Sequence, residues 1–202
     1  MLRRVVTFAT LLTAAALLLA ACGGSGAKPA ATTVTTAPSK GPGNVKATPG
    51  IAVVKTSLGT FSFRFDVKDS PHAVASFEYL IRKKFFNGTI FHRIVPGFVI
   101  QGGDPTGTGS GGPGYSTDDT VPAKTTYLHG TVAMAKTQTD PPGTAGSQFF
   151  VVTEANAGLP PIYAVIGHVV SGLAVVDKIG TFGNAQEEPT KRIVVESITI
   201  GT

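Results

Sequence analysis

The chain has one cysteine, Cys22, and no tryptophan among its 202 residues. A single thiol cannot close an intrachain disulfide, so packing and hydrogen bonds alone hold the fold. Charge is also scarce: 14% of residues are charged, 17 basic against 12 acidic, for a net +5. The only basic cluster, Arg82-Lys83-Lys84, ends a helical pattern, where cations suit the helix dipole. With no long basic stripe and no aromatic platforms interleaved with it, nucleic acid is not expected as a partner. His72, His92, His129 and His168 lack metal-ligand spacing. The glycine-dense stretch 102–114 lacks a Gly-Lys-Ser/Thr ending, and no Gly-x-Ser-x-Gly elbow occurs. Neither a metal nor a cofactor is expected.

One long apolar run exists, Val5 to Ala20, preceded by Arg3 and Arg4 and followed by small residues. Residues 1–21 read as an export signal. Leu19-Ala20-Ala21-Cys22-Gly23 resembles the bacterial lipobox, which implies that Cys22 becomes a lipidated N-terminus at the outer face of the cell membrane. An ordinary cut after Ala21, or an uncleaved anchor shorter than the roughly 20 residues a bilayer core needs, uses the same residues. Loss of Arg3 and Arg4 reduces 17 basic residues to 15, against 12 acidic, a net +3. Residues 22–49 are rich in Gly, Ala, Ser, Thr, Pro and Lys and bury too little to offset their ordering entropy, so a disordered tether with a reach of about 30 Å is expected. The remaining residues, 50–202, are enough for one domain with a real core.

Within that domain, Ile51–Thr56 and Thr60–Phe65 flank Ser57-Leu58-Gly59 and predict a hairpin. Ser70 as N-cap, Pro71 at the first helical position, and Val74, Phe77, Leu80 and Ile81 at helical spacing predict a helix over Pro71–Lys83. Short strand-like runs follow at 91–95, 98–101, 130–135, 148–153 and 163–169, then a second helix over 171–179 and a last strand over 192–200. Many short strands with two helices fit a closed β-barrel or a sandwich.

Pro96-Gly97 turns the chain between two of these runs, so Phe98-Val99-Ile100-Gln101 pairs back on Phe91–Val95 and brings Arg93 near Gln101. A strand arginine by itself is usually an ion-pair partner. Yet FHRIVPGFVIQGGDPTGTGSGG, together with Gly146-Ser147-Gln148-Phe149-Phe150, resembles the cyclophilin family of peptidyl-prolyl cis-trans isomerases, over about Ile51 to Ile200. The resemblance implies a mainly β fold, a closed antiparallel eight-stranded barrel capped by two α-helices. It also implies a surface groove for proline-containing polypeptides; nothing in the sequence demands an oligomer, so a monomer is expected. By the same resemblance Arg93 is the catalytic arginine, with Phe98 and Gln101 beside it. Gln148 joins Gln101 on the substrate backbone, and Val99, Phe150 and Leu159 wall the proline pocket. Ala135, Lys136 and Thr137 cradle the residue before proline, next to Gly109 and Ser110.

Those residue types suit the chemistry. Rotation about an amide meets a barrier of about 18–20 kcal/mol, and no bond is made or cut. An arginine stays protonated and can donate to a prolyl nitrogen that becomes basic only as the amide twists. The chain departs from the family at three places: Gly158 stands for a frequent tryptophan that contributes to cyclosporin binding, Tyr163 for a groove histidine and Val99 for a methionine. Weak inhibition by cyclosporin is expected, and the loop between Lys136 and Ser147 is longer than usual. A proline-binding module with little turnover is the alternative to an enzyme that assists folding of exported proteins.

Overall fold

The structure is a computed structural model that describes residues 41–201. The leader, Cys22 and most of the tether lie outside the described residues. Strands β1 (Ile51–Thr56) and β2 (Gly59–Phe65) form the expected hairpin, with Thr56 opposite Gly59. Helix α1 (Pro71–Arg82) follows, then β3 (Arg93–Val95), β4 (Val99–Gly102), β5 (Thr117–Asp118), β6 (Thr131–Met134), β7 (Thr144–Ala145) and β8 (Phe149–Val152). β9 (Val165–Ser171), α2 (Leu173–Gly180) and β10 (Val195–Gly201) complete the chain. The two-residue strands β5 and β7, which pair only with each other, carry no apolar alternation that a sequence reading could detect.

Eight strands make one antiparallel sheet in the order β10-β1-β2-β9-β6-β8-β4-β3. The expected closed barrel is not formed: the sheet curls strongly but ends on β10 and β3, which share no ladder. The reason is local. β3 is only three residues long, and it is the segment before it that meets the start of β10: Gly88 N and Phe91 N donate to the carbonyls of Val195 and Ile193, Val195 N donates to Thr89 O, and the strand pairing there is the isolated bridge of Ile90 with Val194. On the free edge of β3 the Ile94 amide donates instead to the carbonyl of Glu187, at 2.9 Å. A loop therefore covers an edge that would otherwise stay unpaired.

The concave side holds the main core. α1 buries Val74, Phe77, Leu80 and Ile81 as its spacing predicts, and the Phe77 ring meets Phe86 and Phe149 at centroid distances of 4.6 and 5.5 Å. Fully burying one such side chain contributes about 1.5–3 kcal/mol. Ser70 occupies the N-cap position, but its side chain makes no capping bond. Asp119, buried and 46 to 47 residues away, accepts the amides of His72 and Ala73 at 3.1 and 2.8 Å. Two of the helix's unpaired N-terminal donors are thus satisfied across the fold.

The domain also begins a little earlier than expected. Thr48 donates from its amide and its Oγ1 to Oε1 of the buried Glu78, at 3.1 and 2.8 Å, and Ala47 packs on the core. These residues fall inside the span assigned to the tether.

Candidate active site

Side chains alternate across each strand, and here the alternation separates two apolar clusters. Ile94, Ile100, Phe149 and Val151 face the main core, whereas Val99, Phe150, Val152, Ala133 and Val165 form a second cluster on the opposite face. Register then aligns a row across five strands. Arg93 stands opposite Gln101, Gln101 opposite Phe150, Phe150 opposite Ala133, and Ala133 opposite Val165. The sheet thus sets a cation and an amide at one end of an apolar floor.

A hydrogen-bonded chain links the polar end. Arg93 Nη1 donates to Gln101 Oε1 at 3.2 Å, Gln101 Nε2 donates to Gln148 Oε1 at 3.0 Å, and Gln148 Nε2 donates to the carbonyls of Gly109 and Gly111 at 2.8 and 2.9 Å. The glycine loop is itself gathered by Asp104, which has no exposed surface. Its carboxylate accepts Thr106 N, Thr106 Oγ1, Gly109 N and Gly111 N at 2.6–3.0 Å. Burial alone would raise its pKa, but these four donors outweigh it and hold Asp104 below the usual carboxylate range. A Cβ at Gly111 would overlap Asp104 Oδ1, so only glycine lets the loop close on that carboxylate.

Next to this loop lies His92, whose two ring nitrogens are buried without a partner. Burial, reinforced by the neighbouring Arg93 cation, keeps its imidazole below the ordinary histidine range despite the opposing Asp104 carboxylate. A cavity of about 710 Å³ opens between the loop and the 135–148 segment, lined by Gln101, Gly109, Ser110, Lys136, Thr137 and Gln148 among others. Lys136 Nζ donates to the carbonyls of Thr137 and Asp140, both at 2.9 Å, and stands 5.8 Å from the centroid of the Tyr163 ring. Ala135 N bonds Gln148 O at 2.8 Å.

The apolar end is a hydrophobic cluster with a partly exposed rim. Phe98, expected in a strand, lies in the turn before β4, which lets it join the outer cluster alongside Val99, Phe150, Leu159 and Tyr163. The Tyr163 ring meets Phe150 edge-on at 5.4 Å. Gly158 has φ 61° and nothing within 4 Å of where its Cβ would be, so the position of the missing tryptophan is open space. Leu159 and Tyr163 pack on the apolar cluster and do not line the polar cavity.

The cyclophilin-type peptidyl-prolyl cis-trans isomerase family model matches residues 51–200. This chain belongs to the cyclophilin family. It is a peptidyl-prolyl cis-trans isomerase, like its relatives. It is 41% identical over 133 residues to a peptidyl-prolyl cis-trans isomerase of Helicobacter pylori, covering 63% of this chain and 78% of that one. Isomerase B of Bacillus subtilis is 46% identical over 105 residues, 52% of this chain and 71% of its own. Among solved structures, a Cryptosporidium parvum cyclophilin superposes with a TM-score of 0.71 at 29% identity, over 77% of this chain and 99% of the other. The same protein in the presence of the dipeptide Ala-Pro gives 0.69 at 30% identity, over 75% and 99%.

Two residues of this cyclophilin's site escape a sequence reading. Tyr127 is fully buried within the apolar cluster, where its hydroxyl donates to Tyr163 O and accepts Tyr163 N, both at 2.9 Å. Glu187 accepts Arg93 Nε at 2.6 Å through Oε2. Neither lies in a motif. Their partners are 36 and 94 residues distant.

Proposed function

We propose that this isomerase works by donation from Arg93 to the prolyl nitrogen while Gln101 and Gln148 hold the substrate backbone. Phe98, Val99, Phe150, Leu159 and Tyr163 grip the proline ring. Ala135, Lys136, Thr137, Gly109 and Ser110 receive the residues before it. The observation that carries this reading is the five-strand row in which Arg93 and Gln101 abut the Phe150 floor. As the amide twists, its nitrogen gains a lone pair, and a fixed guanidinium stabilises that state more than the planar ground state. The Ala-Pro dipeptide present with the Cryptosporidium relative is in keeping with a groove of this kind. Arg93→Ala should lower kcat/KM on a proline peptide by about 100-fold while the peptide still binds. A wild-type rate in that variant would overturn the assignment.

The same reading extends to place and client. The protein acts as a monomer on X-Pro bonds of newly exported chains, tethered through a lipid on Cys22 to the outer face of a bacterial cell membrane. Its support is the leader and the lipobox-like Leu19-Ala20-Ala21-Cys22. Cys22→Ser should move the protein from the membrane fraction to the soluble fraction, and undiminished membrane retention would refute lipid anchoring.

A further inference from the structure

We infer that Glu187 is a positioning residue for Arg93, holding the guanidinium in the orientation from which it donates. The inference rests on the reading of Arg93 as the donor. Glu187 Oε2 accepts Arg93 Nε at 2.6 Å from one side, while Gln101 Oε1 accepts Nη1 at 3.2 Å from another. A guanidinium has five N–H donors. Two are thus engaged, which leaves three for substrate on a group tethered at two points.

The backbone around Glu187 is built to present that carboxylate. Glu187 has φ 64°, a left-handed conformation that costs a non-glycine residue about 1–3 kcal/mol and persists where surrounding bonds over-determine it. Those bonds are present. Glu187 N donates to Asn184 O at 3.0 Å and its carbonyl accepts Ile94 N at 2.9 Å. Asn184 Oδ1 accepts the amides of Gln186 and Glu188 at 2.9 and 2.8 Å. Because Ile94 follows Arg93 directly, the loop and the arginine are registered to each other by the free edge of β3.

Stability does not account for the pair. The Arg93 and Glu187 side chains are 34% and 48% exposed, and an ion pair of that exposure contributes about 0–1 kcal/mol. A carboxylate this close also damps the cation's field at the groove, but solvent screens that effect. Hydrogen bonding to a twisted nitrogen depends on direction, so fixing the donor outweighs the lost field.

The test compares Glu187→Ala, Glu187→Gln and Arg93→Ala in the full chain. Turnover is measured on a proline tetrapeptide, alongside the Arg93 Nε–H resonance and thermal midpoints. Glu187→Ala should lose about tenfold in kcat with KM within about twofold and an unchanged midpoint. Its Arg93 Nε–H signal should lose protection from exchange. Glu187→Gln, whose amide oxygen still accepts Nε–H, should stay within about threefold of wild type and keep the protected signal. A wild-type or raised rate in Glu187→Ala, or an equal loss in Glu187→Gln, overturns the positioning role. If Arg93→Ala is inactive while Glu187→Ala is unimpaired, only this inference falls. A wild-type rate in Arg93→Ala removes both.

Discussion

Asp104→Asn should be among the most damaging conservative changes in the domain. Oδ1 of Asp104 takes both bonds from Thr106, and Oδ2 takes the amides of Gly109 and Gly111. An asparagine can keep one oxygen in place, so its NH2 group faces either the two glycine amides or the Thr106 amide and hydroxyl, and even in the second, better arrangement one backbone donor loses its acceptor. An unsatisfied buried donor costs about 1–3 kcal/mol, so a loss in that range is expected. For a domain of this size that lowers Tm by on the order of 10 °C. The loss should depend on pH. Because the native carboxyl is held below its unfolded pKa of about 3.9, its contribution is complete above that value and fades as the pH falls towards the native pKa. Urea unfolding should therefore show a gap between wild type and Asp104→Asn that is full at pH 7 and narrower at pH 3. The Gly109 and Gly111 carbonyls also hold Gln148, so KM for a proline peptide should rise more than kcat falls. A variant within about 0.5 kcal/mol of wild type at pH 7, well below the cost of one unsatisfied donor, would refute the reasoning. So would a gap that does not change with pH.

Asp119→Ala removes the cap that α1 receives from across the fold and should cost about 1–3 kcal/mol in urea unfolding, whereas Ser70→Ala, which breaks no capping bond, should cost less. His92 carries a native pKa below its unfolded value, so as pH falls below about 6.5 the unfolded chain takes up a proton first and stability declines towards the native pKa. His92→Phe should flatten that decline between pH 7 and pH 5, and equal slopes for the two proteins would count against the burial argument.

The hairpin of β1 and β2, the span of α1 and the pairing of Arg93 with Gln101 could all be read locally. Each is dictated by neighbours within about a dozen residues: a period-2 or helical alternation of apolar side chains, a Ser-Pro helix start, a Pro-Gly turn. The cyclophilin motifs added the second half of the groove, Gln148 to Phe150. Sheet closure is not legible in the sequence because it depends on whether β3 and β10 meet, and a loop distant in sequence takes the free edge of β3 through the Ile94 amide and the Glu187 carbonyl. Asp119 as a helix cap, Tyr127 beneath Tyr163 and Glu187 against Arg93 had no local signal at all. Their partners lie 36 to 94 residues away, and a hydrogen bond between such distant groups exists only once the core has brought them together. The amino-acid pattern alone therefore determined the strands of the main sheet, the two helices and the polar residues of the groove, though not the short pair β5 and β7. The tertiary fold decided which of those residues touch, because direction and distance, not residue type, make a donor, a cap or a clamp.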